Sequence, residues 1–178
     1  MVLENGPLLY FPAIRELRLI SDPVPPALPA ALREAAVTDF AVGRGVLATW
    51  RPYERAVRDV VRDLDLGWQV VFNKDALMVL PPGVNKATGL SAALEQMRIA
   101  PREVIAMGDA ENDIPMLKLC GYGVAVGNAL PSVKAEADLV VSAERGEGVE
   151  EAIRDLQTDG LQACRIWTRA VRPASRAF

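Results

Sequence analysis

The residues best suited to chemistry lie in one short stretch, 107–117, which reads MGDAENDIPML. The apolar run 103–107 predicts a buried parallel strand, after which Gly108 is expected to let the backbone turn sharply. Asp109 and Asp113 would then lie just past the carboxyl end of a strand, where doubly wound sheets bind their ligands. Carboxylates at such a turn can converge on one hard divalent cation, although the same residue types often only cap the next helix.

The composition narrows the possible chemistry. The chain has 178 residues, 51% of them hydrophobic and 24% charged, with a formal net charge of -3. These values predict a globular protein with no general nucleic-acid footprint and no membrane-spanning segment. The absence of histidine excludes Ser-His-Asp triads, Cys-His pairs and His-ligated zinc, so catalysis must use carboxylates, Lys, Arg and a metal. Two cysteines, Cys120 and Cys164, and a start without a secretory pattern predict a cytoplasmic location.

A second motif, GVNKATGL at residues 83–90, lies upstream of the acidic stretch. The two motifs together resemble the haloacid-dehalogenase-like (HAD) superfamily of phosphohydrolases, in its Cof-type branch. That branch carries a Lys in a G-V-x-K setting as its third motif and GDxxND as its fourth. The stretch GYGVAVGN at 121–128 is similar to the segment after the fourth motif in the same branch, and the resemblance extends to about residue 153.

The resemblance implies an α/β fold, in which a HAD-like Rossmannoid core carries a small inserted α/β cap of two αββ repeats. We expect a remnant of the first half of the core at 1–21, the cap at 22–81, the second half of the core at 82–157 and a basic tail at 158–178. Hydrophobic spacing predicts helices at 26–36 and 52–64, and strands at 39–42, 46–50, 69–72 and 77–80. For the core it predicts helices at 88–97 and 130–137, strands at 122–126 and 139–141, and a short helix opened by 146–148.

The resemblance also implies a magnesium-dependent phosphatase of small phosphorylated metabolites that forms a phosphoaspartate. Lys86 then neutralises the nucleophilic carboxylate and the bound phosphate, and Asp109 binds Mg²⁺. Asn112 and Asp113 fix the water shell of the metal and orient Lys86. The expected catalytic residues are Lys86, Asp109 and Asp113, and the expected metal-site residues are Asp109, Asp113 and Asn112. The expected substrate-binding residues are Lys86, Asn5, Gly6, Asn128 and Arg44.

Three cations of the predicted cap lie near turns and strand ends, namely Arg44, Arg51 and Lys74. Because a cap covers the site and selects the substrate, these residues are candidate contacts for an anionic group. For any single one of them, an ordinary solvated surface cation is the favoured interpretation.

The first two motifs of the family, DxDx[TV] and a Ser or Thr after a strand, are not found in this sequence. In the family they precede a segment similar to Glu4-Asn5-Gly6. Asp63-Leu64-Asp65 imitates the first motif, but the apolar residues of 53–64 have helical spacing, which predicts that both carboxylates are solvated at a helix end. A nucleophilic Asp is therefore not recognised in the sequence.

Three functions remain open at this stage. The chain is a HAD-type phosphatase, a nucleophile-deficient relative that binds a phosphometabolite or a partner, or a fragment that needs an N-terminal half. Without the strand of the first motif, residues 104–107 would present an unpaired apolar edge. This predicts either a homo-oligomer formed through the incomplete core sheet or a rearranged core. The basic tail can contact nucleic acid or an acidic partner, but such a tail is more often a frayed end or the beginning of a region that continues in longer relatives.

Overall fold

The computed structural model describes residues 1–158, and they form a mixed α/β fold. The strands are β1 Val2–Leu3, β2 Leu8–Phe11, β3 Glu16–Leu19, β4 Ala41–Val42, β5 Leu47–Trp50, β6 Gln69–Asn73, β7 Ala76–Leu80, β8 Ile105–Gly108, β9 Tyr122–Ala125 and β10 Leu139–Val140. The helices are α1 Ala27–Glu34, α2 Glu54–Asp63, α3 Lys86–Met97, α4 Ile114–Leu119, α5 Pro131–Lys134 and α6 Arg145–Thr158. Of the predicted basic tail, 158–178, only residue 158 is among the described residues.

The two predicted αββ repeats are confirmed, and they share one antiparallel sheet. The strand order is β4-β5-β7-β6, and α1 packs against α2. Val57, Val60 and Val61 lie on one face of α2 because they are three or four residues apart, and they pack in the core that Leu47 and Leu77 supply from the sheet. We call α1 to β7 the αββ module.

The predicted parallel strands are also confirmed, in a second sheet of order β10-β9-β8. Val124 and Ala125 of β9, its central strand, are fully buried. Within residues 1–158, β8 pairs with β9 alone, and its first residue, Ile105, is 38% exposed. One edge of this sheet is therefore the strand that leads into the acidic stretch.

The N-terminal segment forms a third sheet. Its central strand, β2, pairs antiparallel with both β1 and β3. The segment packs backbone to backbone on α3, since a Cβ atom at Gly89 would collide with the carbonyl oxygen of Gly6. This contact fixes the N-terminal segment next to the start of α3.

Helix α3 begins two residues earlier than predicted, at Lys86 itself. Asn85 is the N-cap: its Oδ1 accepts hydrogen bonds from the backbone N–H groups of Ala87 (2.9 Å) and Thr88 (3.2 Å), and Thr88 Oγ1 accepts from the Asn85 N–H (2.9 Å). This reciprocal capping box satisfies donors that would otherwise be orphaned. The predicted helix at 130–137 is shorter than expected and spans Pro131–Lys134.

The interpretation of Asp63 and Asp65 as helix-terminal residues is confirmed. Asp63 is the last residue of α2 and its side chain, 67% exposed, pairs with Arg62. Asp65 follows in a left-handed conformation with φ 49° and is also exposed. Neither carboxylate follows a strand.

A buried carboxylate organises the turn after β8. Asp113 is 5% exposed, and its Oδ2 accepts the backbone N–H groups of Asp109 (2.9 Å) and Ala110 (3.1 Å). Its Oδ1 forms an ion pair with Lys86 of α3. Gly108 serves this arrangement by its small size, because an added Cβ would lie 2.8 Å from Asp113 Cγ. The sharp turn expected from Gly108 is not the reason for the glycine, since Gly108 has no positive φ and belongs to β8.

One glutamate of α6, Glu151, binds the segment that follows β10. Glu151 Oε2 accepts the N–H of Ala143 (2.7 Å), and Oε1 accepts the N–H (3.3 Å) and hydroxyl (3.0 Å) of Ser142. The backbone bond from Ala143, followed by that from Ser142, lowers the pKa of Glu151 because both favour the ionised carboxylate. The described residues contain no helix that is long and apolar enough to cross a membrane.

Replacing the buried carboxylate tests its structural role. Asp113→Asn keeps the side-chain size but leaves Lys86 without its counterion. Lys86 is still 31% exposed, so the free energy of unfolding should fall by about 1 to 3 kcal/mol, less than for a fully buried pair. Urea denaturation measures the change, and Asp63→Asn, on an exposed carboxylate, is the matched control. Equal midpoints for the two variants would contradict this role.

The pH dependence of stability tests the Glu151 contacts. A carboxyl whose pKa is lowered by folding stabilises the native state above its unfolded pKa, about 4.3, and this contribution is lost as the pH falls through the folded value. Glu151→Gln should therefore lower Tm at neutral pH, and the difference from wild type should shrink below about pH 4. Thermal unfolding across this range checks it, with Glu150→Gln as control. A difference independent of pH would argue against the ionised contact.

Candidate functional site

The predicted site residues Lys86, Asp109 and Asp113 line one cavity of about 410 Å³. Lys86 comes from the N-terminus of α3, whereas the two carboxylates follow β8. The other lining residues are Met107, Gly108, Val126, Arg145 and Val149. The cavity therefore opens at the carboxyl end of the parallel sheet, where the sequence places it. A larger groove on the αββ module contains Trp68 and Asp65, but the acidic stretch does not contribute to it.

Asp113 positions other groups in this site. Its two oxygens already hold the Lys86 ammonium and the backbone N–H groups of Asp109 and Ala110. The geometry therefore favours a positioning role for Asp113 over the direct metal ligation also expected from the sequence. The pair also keeps the Lys86 ammonium at the cavity, since a side chain with four rotatable bonds would otherwise sample many positions.

Asp109 lies at the mouth of the cavity and is held by two side chains. Its Oδ2 accepts a hydrogen bond from Asn128 Nδ2 at 3.2 Å and pairs with Lys74 Nζ at 2.5 Å. Asn128 follows β9, and its Oδ1 accepts the backbone N–H of Arg145 at 2.8 Å. Lys74 lies on the turn between β6 and β7, so a residue of the αββ module reaches the acidic stretch directly.

Asn112, which is buried, forms an amide pair with the half-buried Asn5. Asn112 is 4% exposed, and its Nδ2 donates to Asn5 Oδ1 at 2.8 Å. Among the described residues, Asn112 Oδ1 and Asn5 Nδ2 are both buried without a hydrogen-bond partner. An unpartnered buried acceptor and donor are costly, so each is available to a ligand or an ordered water.

Four of the five predicted substrate contacts, Asn5, Gly6, Asn128 and Arg44, do not line the cavity. Gly6, with φ 131°, packs on the start of α3, where an added Cβ would collide with the carbonyl of Asn85. Its position is therefore explained by backbone packing. Arg44 is exposed at the turn between β4 and β5, and its backbone N–H donates to Glu4 Oε1 at 3.0 Å.

Sequence reasoning missed several charged groups around the site. Arg145 begins α6 and lines the cavity with a left-handed φ of 52°. Glu111 links the acidic stretch to the αββ module by accepting the backbone N–H of Lys74 at 3.1 Å. Lys134 Nζ donates to the carbonyl of Gly127 at 2.5 Å, beside the loop that carries Asn128. Only Glu111 had a local signal, because it lies inside the recognised motif.

Cys120 is not part of this chemistry. It is buried in the core with Ala106, Leu117 and Val133, and burial raises the pKa of its thiol. A neutral buried thiol is an inert core residue and a poor nucleophile.

The oxygen atoms near Asp109 can be compared with the ligands that the expected Mg²⁺ ion requires. No cluster of three or more His, Cys, Asp or Glu residues that could hold a metal occurs within residues 1–158. Asp109 nevertheless offers a partly exposed carboxylate, and Asn112 an unpartnered buried oxygen in the same turn. Mg²⁺ commonly binds one or two carboxylates and keeps several waters or phosphate oxygens. The residues fit such a water-rich site centred on Asp109.

Comparison with known proteins agrees with this geometry. Residues 66–153 match the family model described as haloacid dehalogenase-like hydrolase. The chain is 34% identical over 166 residues to a phosphoglycolate phosphatase of Methanothermobacter thermautotrophicus, covering 86% of this chain and 71% of that protein. It is 36% identical over 162 residues to a phosphoglycolate phosphatase of Natronomonas pharaonis, with the same two coverages.

Solved structures show the same fold. A haloacid dehalogenase-like hydrolase from Bacteroides thetaiotaomicron matches with a TM-score of 0.69 at 24% identity, over 85% of this chain and 74% of that one. A sugar phosphatase of HAD subclass IIB matches with a TM-score of 0.54 at 24% identity, over 64% of this chain and 44% of that one. The chain therefore belongs to the haloacid dehalogenase-like hydrolases.

Proposed function

We propose that this HAD-family chain binds the phosphate of small phosphorylated metabolites together with Mg²⁺, as part of a phosphatase. The observation that carries the proposal is the Lys86–Asp113 pair beside Asp109 at one cavity, with Lys86 and the carboxylates supplied by different elements. Two relatives are named phosphoglycolate phosphatases, which supports a small phosphate monoester as the ligand.

Each site residue has a distinct part in this proposal. Lys86 contacts the phosphate oxygens with its ammonium, and Asp113 holds that ammonium in place. Asp109 holds the ion, with Asn112 and Asn128 ordering the carboxylate and the surrounding waters. Bound Mg²⁺ supplies electrostatic stabilisation of the charge on the phosphoryl oxygens. In this scheme residues 22–81 act as a cap that covers the cavity, and the protein works in the cytoplasm.

The cavity offers no carboxylate suited to nucleophilic attack among the described residues. Asp109 is paired with Lys74 and Asn128, and Asp113 is buried with both oxygens engaged. We therefore propose that these 178 residues bind phosphate compounds but hydrolyse them very slowly on their own. A non-catalytic binding protein and a fragment needing its N-terminal half remain alternatives. Restored turnover on adding a segment with a DxDx[TV] motif would favour the fragment.

Calorimetry with inorganic phosphate tests this function. Wild-type protein should bind phosphate only when Mg²⁺ is present, and Asp109→Asn should weaken that binding by about tenfold or more, because the ion loses its principal carboxylate. Asp63→Asn, far from the cavity lining, is the control and should bind as wild type does. Turnover of p-nitrophenyl phosphate should be close to background. Robust magnesium-dependent hydrolysis that Asp63→Asn abolishes would contradict the proposal.

The open edge of the parallel sheet supports a further proposal about assembly. β8 pairs on one side only among residues 1–158, and Ile105 is exposed there. An unpaired apolar strand is a template for another chain, so the protein is proposed to self-associate through β8.

Light scattering at micromolar concentration measures this association. Ile105→Lys places a charge on β8 and should shift the protein towards the monomer. Val140→Lys makes the matched change on β10, the opposite edge of the same sheet, where Val140 is 45% exposed. Because β10 is only two residues long, it is a poor template, and this variant should leave the distribution unchanged. A wild-type protein that is monomeric and unfolds cooperatively would contradict the assembly proposal.

A further inference from the structure

The αββ module delivers one lysine to the mouth of the cavity. Lys74 lies at the tip of the β6–β7 hairpin, and its ammonium pairs with Asp109. Both side chains are 38% exposed, so the pair is accessible to a ligand entering from solvent. Lys74 is the contact through which the module reaches the carboxylate proposed to hold the metal.

The backbone of Lys74 is fixed independently of that ion pair. Its N–H donates to Glu111 Oε2 at 3.1 Å, and its carbonyl accepts from Arg51 Nε (3.1 Å) and Nη2 (2.9 Å). Arg51 lies 4.3 Å above the Phe72 ring and 3.7 Å from Glu111 Oε1. The hairpin tip therefore stays at the cavity even when the ammonium leaves Asp109.

Metal binding would release the Lys74 ammonium. Lys86 has its own counterion in Asp113, whereas Lys74 shares Asp109 with the proposed Mg²⁺. A divalent cation on Asp109 repels a neighbouring ammonium, and the repulsion is strong where solvent screens only partly. Lys74 would then be a cation without a counterion, on a fixed hairpin beside Asp109.

We propose that Lys74 is a specificity-determining residue that selects phosphate monoesters carrying a carboxylate close to the phosphate. The proposal rests on the proposed function, because it takes the metal on Asp109 and the phosphate at Lys86. A lysine suits this role since its compact charge can pair with Asp109 in the free protein and with a ligand carboxylate in the complex. An ester of the same size without the carboxylate would leave the ammonium without a partner.

The ratio of the affinities for two ligands measures this selectivity and requires no turnover. Calorimetry with Mg²⁺ present compares 2-phosphoglycolate with ethyl phosphate, which has similar size and no carboxylate. Wild-type protein should favour 2-phosphoglycolate by about tenfold. Lys74→Met should bring the ratio close to one, and Lys74→Arg, which keeps the charge, should retain much of it. Lys118→Met removes a surface lysine paired with Glu136 and should leave the ratio unchanged.

The outcomes separate this inference from the function on which it rests. Phosphate binding that requires Mg²⁺, with a carboxylate preference that survives Lys74→Met or is absent from wild type, would overturn the role of Lys74 alone. Failure of the wild type to bind inorganic phosphate with Mg²⁺ would overturn the proposed function and this inference together. Thermal unfolding of each variant verifies that the ratios come from folded protein.

Discussion

The buried carboxylate of Asp113 is the constraint on which the site depends. A charge only 5% exposed must have its oxygens satisfied, and the chain does so with two backbone N–H groups and one lysine. These bonds hold the backbone at Asp109, draw the N-terminus of α3 to the sheet edge, and exclude any side chain at Gly108. The position of Lys86, the direction of Asp109 and the choice of glycine thus share one physical cause.

Much of the fold could be predicted because it follows from local pattern. The three-to-four spacing of Val57, Val60 and Val61 identifies α2, and short apolar runs bounded by turn residues identify the strands of both larger sheets. The start of α3 was misplaced because the N-cap is Asn85, whose bonds to Ala87 and Thr88 extend the helix to Lys86. The contact between Lys86 and Asp113, which are 27 residues apart, could not be predicted from local spacing. Its prediction depended on the resemblance to the family.

The contacts that sequence reasoning missed depend on how separate units pack. Lys74 and Asp109 are 35 residues apart and follow strands of different sheets, so no periodicity links them. Arg145 reaches the cavity where α6 starts beside Asn128, and β3 pairs with the second edge of β2. The reason for Gly108 was also hidden, because a close approach by a side chain leaves no trace in the local sequence.

The charges around the cavity relate the buried Asp113 to the binding of an anionic ligand. Among the charged residues that line the cavity or pair with its carboxylates, three are cations, Lys74, Lys86 and Arg145, and two are carboxylates, Asp109 and Asp113. This set has one excess positive charge. A divalent metal and a phosphate monoester dianion cancel each other, so adding both leaves that excess unchanged. A ligand with one further negative charge would neutralise it. Because Asp113 already neutralises Lys86, the excess positive charge lies on Lys74 and Arg145. A second anionic group on the ligand therefore gains the most electrostatic stabilisation by contacting these two residues.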